Sequence, residues 1–509
     1  MRQMLLLSLA LLLFATAQAQ RPQTGVCGTD SRIEGYDFMA ARLTANLRTV
    51  ATGAVSARNI SYVPIKFHIG SRNDGSGRLN ENNILDQLCE LNEDFASYEI
   101  QFFLADGTYN LISNTTFYEN HSATQNSIMS FQKDPRALNV YIVENADTDG
   151  GGEGGVTLAY YSPQRDWIVI TKDYIGKDDA TLSHEIGHYF SLDHTFSGWE
   201  TAPYNTQNVN APVNSPLGNA TERANGTNCE TAGDRVCDTP ADYNNGLGWN
   251  GCNFTLNVLD PQGNPIDPQE QNYMSYFLSC PDSDYLFTNQ QTSLVLADLN
   301  SFSRNTLRLD PVPAYAAIND SPTLVSPIGN EITPNFNAVN LEWTGVANAN
   351  AYLLEVSRVS SFTIDPIRIV VYGTTKVING LEAGKRYYWR VRPFNAHSTC
   401  IASTTVNSFT TGGVVASQEL AFVESFQVSP NPVVGQSNVQ INLTSAEAFV
   451  GQIQMLDITG RPTGVAREYS FGAGNQLVDL PIGQLSSGVY VLQILTQQGR
   501  LAQKVVIAQ

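Results

Sequence analysis

The apolar positions change period several times along the chain, and each change marks an element. A largely apolar run from Met4 to Phe14 follows Arg2 and ends at Ala17-Gln18-Ala19, the pattern of a secretory signal peptide over residues 1–19. The run falls short of the roughly 20 residues needed to cross a bilayer, and no later run approaches that length, so no transmembrane anchor is expected. Residues 20–58 show no strong apolar period and read as a leader. In "NNILDQLCELNEDF", Leu85, Leu88 and Leu91 recur at helical spacing. In "DDATLSHEIGHYFSL", Leu182, Ile186, Tyr189 and Phe190 do the same, with Thr181 or a preceding aspartate placed to cap the helix. Residues 59–310 carry both helices and are read as one segment of the chain.

Three prolines make 311–322 a linker. The period then falls to two. Leu341 and Trp343 share one strand face, as do Tyr352, Leu354 and Val356, and again Tyr387, Trp389 and Val391. This predicts a β-sandwich over 323–412. A second linker, 413–424, leads to a last all-β module, 425–509, with strands in "NVQINL", "GQIQMLDITG", "QLVDLPI" and "GVYVLQIL".

Composition fits this picture. A chain of 509 residues exceeds what one core usually serves, and 42% hydrophobic with only 15% charged residues suits a secreted, loop-rich, mostly β protein. The net charge of −19 excludes the basic footprint that nucleic acid or an anionic membrane requires. Export makes the 7 cysteines candidates for disulfides, with at least one thiol left over. Cys229, Cys237, Cys252 and Cys280 cluster, and their spacing leaves the pairing open. Cys89, beside Leu85, Leu88 and Leu91, reads as a buried free thiol. Cys400 has no evident role. His68, His121 and His397 read as structural or exposed.

The chemistry concentrates in "HEIGHYFSLDH", residues 184–194. His184 and His188, four apart on a helix, project from one face and can hold one metal ion. Glu185, beside the first histidine, can reach a water on that ion. His194 cannot share the helical face, because each residue turns the helix by about 100°. The helix must end and the chain reverse for His194 to join. Three neutral imidazoles leave a fourth position open, the catalytic rather than the structural zinc pattern.

These residues resemble the metzincin pattern HExxHxxGxxH, with Ser191 where the pattern has glycine. Thr195-Phe196, "CETAGDRVCDTP" (229–240), "NYMSY" (272–276) and "LNEDF" (91–95) are similar to motifs of the pappalysin family, in particular the ulilysin-like secreted enzymes. The resemblance spans residues 27–300. It implies a metzincin peptidase domain at 59–310: a twisted mixed sheet with an active-site helix, binding substrate as an edge strand. It implies catalytic zinc on His184, His188 and His194. Glu185 would serve as general base and acid, Tyr276 as a partner of the reacting carbonyl, and Met274 as the apolar floor of a methionine turn. It implies that 20–58 is a propeptide whose Cys27 thiolate takes the open zinc position, with Arg58 as an activation cut. It also implies disulfides Cys229–Cys252 and Cys237–Cys280, and a structural calcium ion at Asp234 and Asp238. Arginine-preferring relatives carry an acidic residue just before the cysteine that follows the methionine turn. Phe277-Leu278-Ser279 supplies none here, so an apolar side chain is the better fit, with Asp282 and Asp284 as the nearby carboxylates.

The run Leu381-x-x-Gly384-x-x-Tyr387-x-Trp389-x-Val391 resembles a fibronectin type III domain. Ser429-Pro430-Asn431-Pro432, Asp457-x-x-Gly460, Ser487-Gly488-Val489-Tyr490 and Lys504 resemble the C-terminal sorting domain of the type IX secretion system of Bacteroidetes. The expectation is a multidomain protein, a metzincin α/β domain followed by two β-sandwich modules. It would be a latent, secreted or surface-attached zinc endopeptidase acting on protein or peptide substrates and engaging the type IX machinery. Two rivals remain: a non-catalytic surface protein or adhesin with a degenerate peptidase domain, and a zinc hydrolase acting on something other than peptides.

Overall fold

A computed structural model describes residues 25–53, 60–147, 156–243, 251–276, 280–307, 316–412, 420, 422–458, 460–483, 485–496 and 499–508. The signal peptide, Arg58 and Phe277–Ser279 lie outside the described residues. The chain divides into two units. The first is Met1–Pro322 with Gly345–Leu353 and Arg392–Ser403, and the second holds the remainder from Thr323 onward.

The first unit is built on a seven-stranded sheet. Its strands are β1 (Gly25–Cys27), β2 (Ser61–Ser71), β3 (Ile100–Leu104), β4 (Asn110–Ser113), β5 (Leu138–Val143), β6 (Val156–Ser162) and β7 (Trp167–Thr171). The spatial order is β1-β6-β7-β5-β2-β3, with β4 also on β2. Only β6 runs antiparallel to its inner neighbour, β7. β5 and β7 are buried at every position, as expected of strands covered on both faces. Helix α2 (Glu81–Asp94) lays Ile84, Leu85, Leu88 and Leu91, all fully buried, against this core. Asn80 caps it by accepting from the backbone N–H of Asn82.

The leader is not the featureless segment its apolar pattern suggested. It supplies β1, parallel to β6 on the open edge of the sheet, and helix α1 (Tyr36–Ala51). α1 buries Met39, Leu43 and Asn46. Arg42 on the same helix ion-pairs with Asp298 at 2.9 Å, and Tyr36 donates to Asp193. A helix that docks largely through polar side chains leaves only a short apolar period to read.

The cysteines need two corrections. Cys89 is not a free thiol: it sits on the half-buried flank of α2 and bonds to Cys400, with the Cα atoms 5.0 Å apart. The clustered four pair as neighbours, Cys229–Cys237 and Cys252–Cys280, not alternately, at Cα separations of 5.1 and 4.5 Å that a disulfide spans without distortion. Cys27 is left as the free thiol among the described residues. Around Cys400, Arg392 ion-pairs with Asp86 at 2.8 Å and His397 stacks on Phe103. His68 is also structural, stacked on Tyr141 and bonded to Asn139, and His121 bonds to the Tyr160 hydroxyl.

Beyond residue 323 the regular elements among the described residues are all strands. Val339–Trp343 alternates buried and exposed, with Leu341 and Trp343 inside. Ala351–Ser357 is buried at every position rather than on one face. Val339–Trp343 lies between Thr375–Ile378 and Leu324–Ser326, and a five-stranded sheet includes Ala351–Ser357 and Arg386–Phe394. The last module has a three-stranded and a five-stranded sheet sharing a core that includes Val439, Ile441, Ile453, Met455, Leu492 and Val505.

Candidate metal centre and active site

The active-site helix, α3, is Thr181–Tyr189. Asp179 accepts from the Thr181 N–H, satisfying one of the free donors at its start. Leu182 and Ile186 anchor it in the core, fully buried, and His184, Glu185 and His188 are carried on the same turns. Gly187 answers to a close approach: a Cβ there would lie 2.3 Å from the Met274 sulfur. Met274 therefore packs directly beneath the helix. The helix ends as Leu192 N–H donates back to the Gly187 carbonyl, and Ser191 takes a left-handed conformation with φ +71°. A non-glycine residue there costs about 1 kcal/mol. The Ser191 hydroxyl accepts from the Asn46 amide at 2.9 Å. This reversal returns His194 to the helix.

One donor atom from each of Cys27, His184, His188 and His194 lies within 4.8 Å of the others. The Nε2 atoms of His188 and His194 are 3.0 Å apart. His184 Nδ1 donates to the Tyr273 carbonyl at 2.5 Å and His188 Nδ1 to the Leu192 carbonyl at 2.7 Å. His194 Nδ1 lies 3.6 Å from the Glu200 carboxylate. With Nδ1 of His184 and His188 engaged, the Nε2 atoms turn toward one another, and His184 Nε2 is buried without a hydrogen-bond partner. Burial holds the imidazoles neutral, pushing His184 down to about 3 and His194 to about 4, with His188 well below its usual value. Neutral imidazoles with converging Nε2 atoms, two of them with Nδ1 anchored on backbone carbonyls, fit a zinc ion.

Glu185 is fully buried. Burial raises its carboxyl to about 8, and its Oε1 has no partner. The leader lies across the cluster. Thr29 Oγ1 sits 3.4 Å from Glu185 Oε2, and the Thr29 N–H donates to Cys27 Sγ at 3.2 Å. Tyr276, half-buried with its ring 5.0 Å from that of His194, donates to the Cys27 carbonyl at 3.1 Å. Burial first, then the neighbouring Glu185, pushes the Cys27 thiol up.

Asp234 and Asp238 have separate hydrogen-bond partners. Asp238 accepts from the Thr288 hydroxyl at 2.5 Å and from the Gln290 N–H at 2.8 Å, so it serves the start of helix α4 (Asn289–Leu299). Asp234 is buried and receives the Thr239 hydroxyl and the Val236 N–H. Its carboxyl is pushed well up by burial and by Glu222. Glu222 Oε2 is buried without a partner, against the Gly233 turn.

Sequence reasoning missed Thr29, Asn46, Glu200 and Glu222. None sits in a spaced motif with its partner. Only Thr29, two residues after Cys27, carried a local signal.

Residues 427–508 match the family model of the secretion system C-terminal sorting domain. An extracellular metalloprotease of Verticillium alfalfae is 26% identical over 50% of this chain and 83% of its own. Two extracellular metalloproteases of Colletotrichum graminicola are 27% and 29% identical, each over 57% of this chain, covering 95% and 94% of their own lengths. Among solved structures, the FN1–FN3 domains of chicken CNTN1 share 12% identity over 38% of this chain and 69% of that one, with a TM-score of 0.16 that carries no argument. The chain is thus similar to extracellular metalloproteases of fungi over half of its length or more, and residues 427–508 are similar to a sorting domain. It is a secreted or surface-attached protein, and no described helix is long and apolar enough to cross a membrane.

Proposed function

We propose that the chain is a zinc-dependent endopeptidase of the pappalysin type within the metzincins, made as a latent precursor. The observation that carries the reading is the buried three-histidine cluster, with an unpartnered Nε2 on His184 and Glu185 beside it. His184, His188 and His194 would hold the zinc ion. When bound, that ion supplies Lewis acidity, polarising a peptide carbonyl and acidifying a water molecule. Glu185 takes the proton of that water through its free Oε1 and returns it to the leaving amine. Tyr276, released from the Cys27 carbonyl, donates its hydroxyl to the developing oxyanion. Met274 and Gly187 set the height of the helix beneath.

In the precursor, Cys27 would join the three histidines in holding the ion, and β1 pairs along the β6 edge, so substrate would be excluded twice. Loss of the leader frees both. Asp234 and Glu222, with Thr239, offer hard oxygen ligands for a structural calcium ion. The sandwich at 323–412 is read as a fibronectin type III module, and the terminal module as the address read by the type IX machinery. The adhesin reading has less support, because it gives no role to the buried Oε1 of Glu185, which has no hydrogen-bond partner. The test is hydrolysis of a peptide library by the activated chain beside Glu185→Gln and a zinc-chelated sample. Hydrolysis that survives both controls contradicts the proposal.

A further inference from the structure

We propose that Asp94 is a positioning residue for the metal centre: from the end of α2 it ties the active-site helix to the segment carrying Met274, and so sets where His184 stands. The inference rests on the zinc-peptidase reading above, through its metal ligands rather than its substrate. Ser183, the residue before His184, is fully buried, and its hydroxyl donates to Asp94 Oδ2. The Tyr273 hydroxyl bonds to the same carboxylate. The backbone carbonyl of Tyr273, in turn, accepts from His184 Nδ1 at 2.5 Å. One carboxylate therefore holds both the chain neighbour of His184 and the residue that anchors its ring.

His184 and His188 differ in what fixes them. His188 donates to Leu192, four positions along the same reversal, so its ring is set locally. His184 depends on a carbonyl 89 positions away. Its ring is aimed only if α3 and the Tyr273–Met274 segment keep their register, and Asp94 touches both. Asp94 itself has a firm seat. Asn92 exchanges two hydrogen bonds with Phe102 of β3, at 2.7 and 3.1 Å. Phe95 is fully buried, its ring 5.1 Å from that of Phe102 and 5.5 Å from that of Phe287. The Tyr98 hydroxyl accepts from the Phe287 N–H at 2.8 Å, and the Phe287 ring lies 4.8 Å from Tyr273. The end of α2 is thus fastened to the sheet, and Asp94 passes that fixity to the ligand. Residues that orient metal ligands from behind change metal affinity or activity by about 10- to 100-fold. Asp94 acts through two residues, so the lower figure is expected.

The experiment measures the zinc affinity of the full chain, by competition with a chromophoric chelator, beside Asp94→Leu and Asp94→Asn. Leucine removes both hydrogen bonds. Asparagine keeps an acceptor for Ser183 and can turn its amide donor to the Tyr273 hydroxyl. The expected result is at least about tenfold weaker zinc binding in Asp94→Leu and recovery to within about threefold in Asp94→Asn. The cobalt-substituted Asp94→Leu chain should show shifted ligand-field bands, and Asp94→Asn the unaltered spectrum, a signature that a general loss of stability does not produce. With the leader cut, kcat of Asp94→Leu on a peptide should fall about tenfold with KM unchanged. If Asp94→Leu does not fold, Ser183→Ala removes one of the two bonds alone and should weaken zinc binding about threefold. Unchanged zinc affinity and cobalt spectrum in a folded Asp94→Leu, or in Ser183→Ala where the first variant does not fold, overturn the inference. Zinc binding as weak in Asp94→Asn as in Asp94→Leu also overturns it. An unaltered chain that binds no zinc removes this inference and the peptidase reading together. Weaker zinc binding in Asp94→Leu, with no peptide cleaved by the unaltered chain, upholds Asp94 and removes the peptidase reading instead.

Discussion

The Asn46 side-chain amide donates to the Ser191 hydroxyl at 2.9 Å, so the leader helix holds the active-site residue whose backbone is left-handed. The same amide group reaches Asp298, which also binds Arg42 of the leader and Arg304. The leader thus braces the turn that brings His194 to the cluster as well as covering the cluster itself.

That link sets the effect of Ser191→Gly. In the leader-free chain the glycine removes the left-handed penalty and should stabilise the fold by about 1 kcal/mol. In the precursor it also removes the Asn46 hydrogen bond, worth about 1 kcal/mol, so the two changes nearly cancel. Calorimetric unfolding of both forms checks this. An equal gain in both would mean that Asn46 does not support the turn.

Cys27→Ala should unmask the precursor. With the thiol gone, β1 and Thr29 hold the leader without its link to the cluster. Hydrolysis by the uncut chain should then rise at least about tenfold, the equivalent of 1.4 kcal/mol. The assay is initial rate on a quenched peptide, with leader integrity followed by mass spectrometry.

Tyr276→Phe should lower kcat by about 10- to 100-fold with little change in KM, as expected on losing one donor to the oxyanion. Zinc content should stay the same. A change confined to KM would make Tyr276 a substrate-binding residue only.

Stability of the calcium-free chain should fall as pH rises from about 5 through about 8. Burial raises the Glu222 carboxyl to about 8, and Asp234 is raised as well. The folded state therefore binds more protons than the unfolded chain between the ordinary carboxyl range and pH 8, and this stabilisation is lost on deprotonation. Calcium should reverse the loss at pH 8 and have little effect at pH 5. Thermal unfolding at the two pH values, with and without calcium, provides the check.

Breaking the Cys89–Cys400 bond with the double alanine variant should destabilise the first unit by about 2–4 kcal/mol. The zinc content of the folded protein should be unaffected. Denaturant unfolding measures the first quantity and metal analysis the second.

The site was legible where partners lie close in sequence. His184, Glu185 and His188 declare themselves through the helical repeat, and the need for a chain reversal before His194 follows from the same geometry. The left-handed Ser191 was readable as the residue at that reversal. What was hidden depends on distant partners. Arg42 and Asp298 are 256 positions apart, and Asn46 and Ser191 are 145 apart. The apolar stripe of α1 is short, Met39 and Leu43, because polar groups complete its docked face. The disulfides were hidden because four cysteines on loops give no directional signal. The bonds of Asp238 to the start of α4 were hidden because Thr288 and Gln290 lie about fifty positions away. Glu222 lies outside the turn it completes.

The central claim is that one zinc ion is held by His184, His188 and His194 and is closed off by Cys27. X-ray absorption at the zinc edge of the loaded precursor tests it most directly. The account predicts three nitrogen scatterers at about 2.0–2.1 Å and one sulfur at about 2.3 Å, with the sulfur lost in Cys27→Ser and after removal of the leader. A precursor that binds no zinc, or a shell unchanged by His194→Ala and Cys27→Ser, would contradict it.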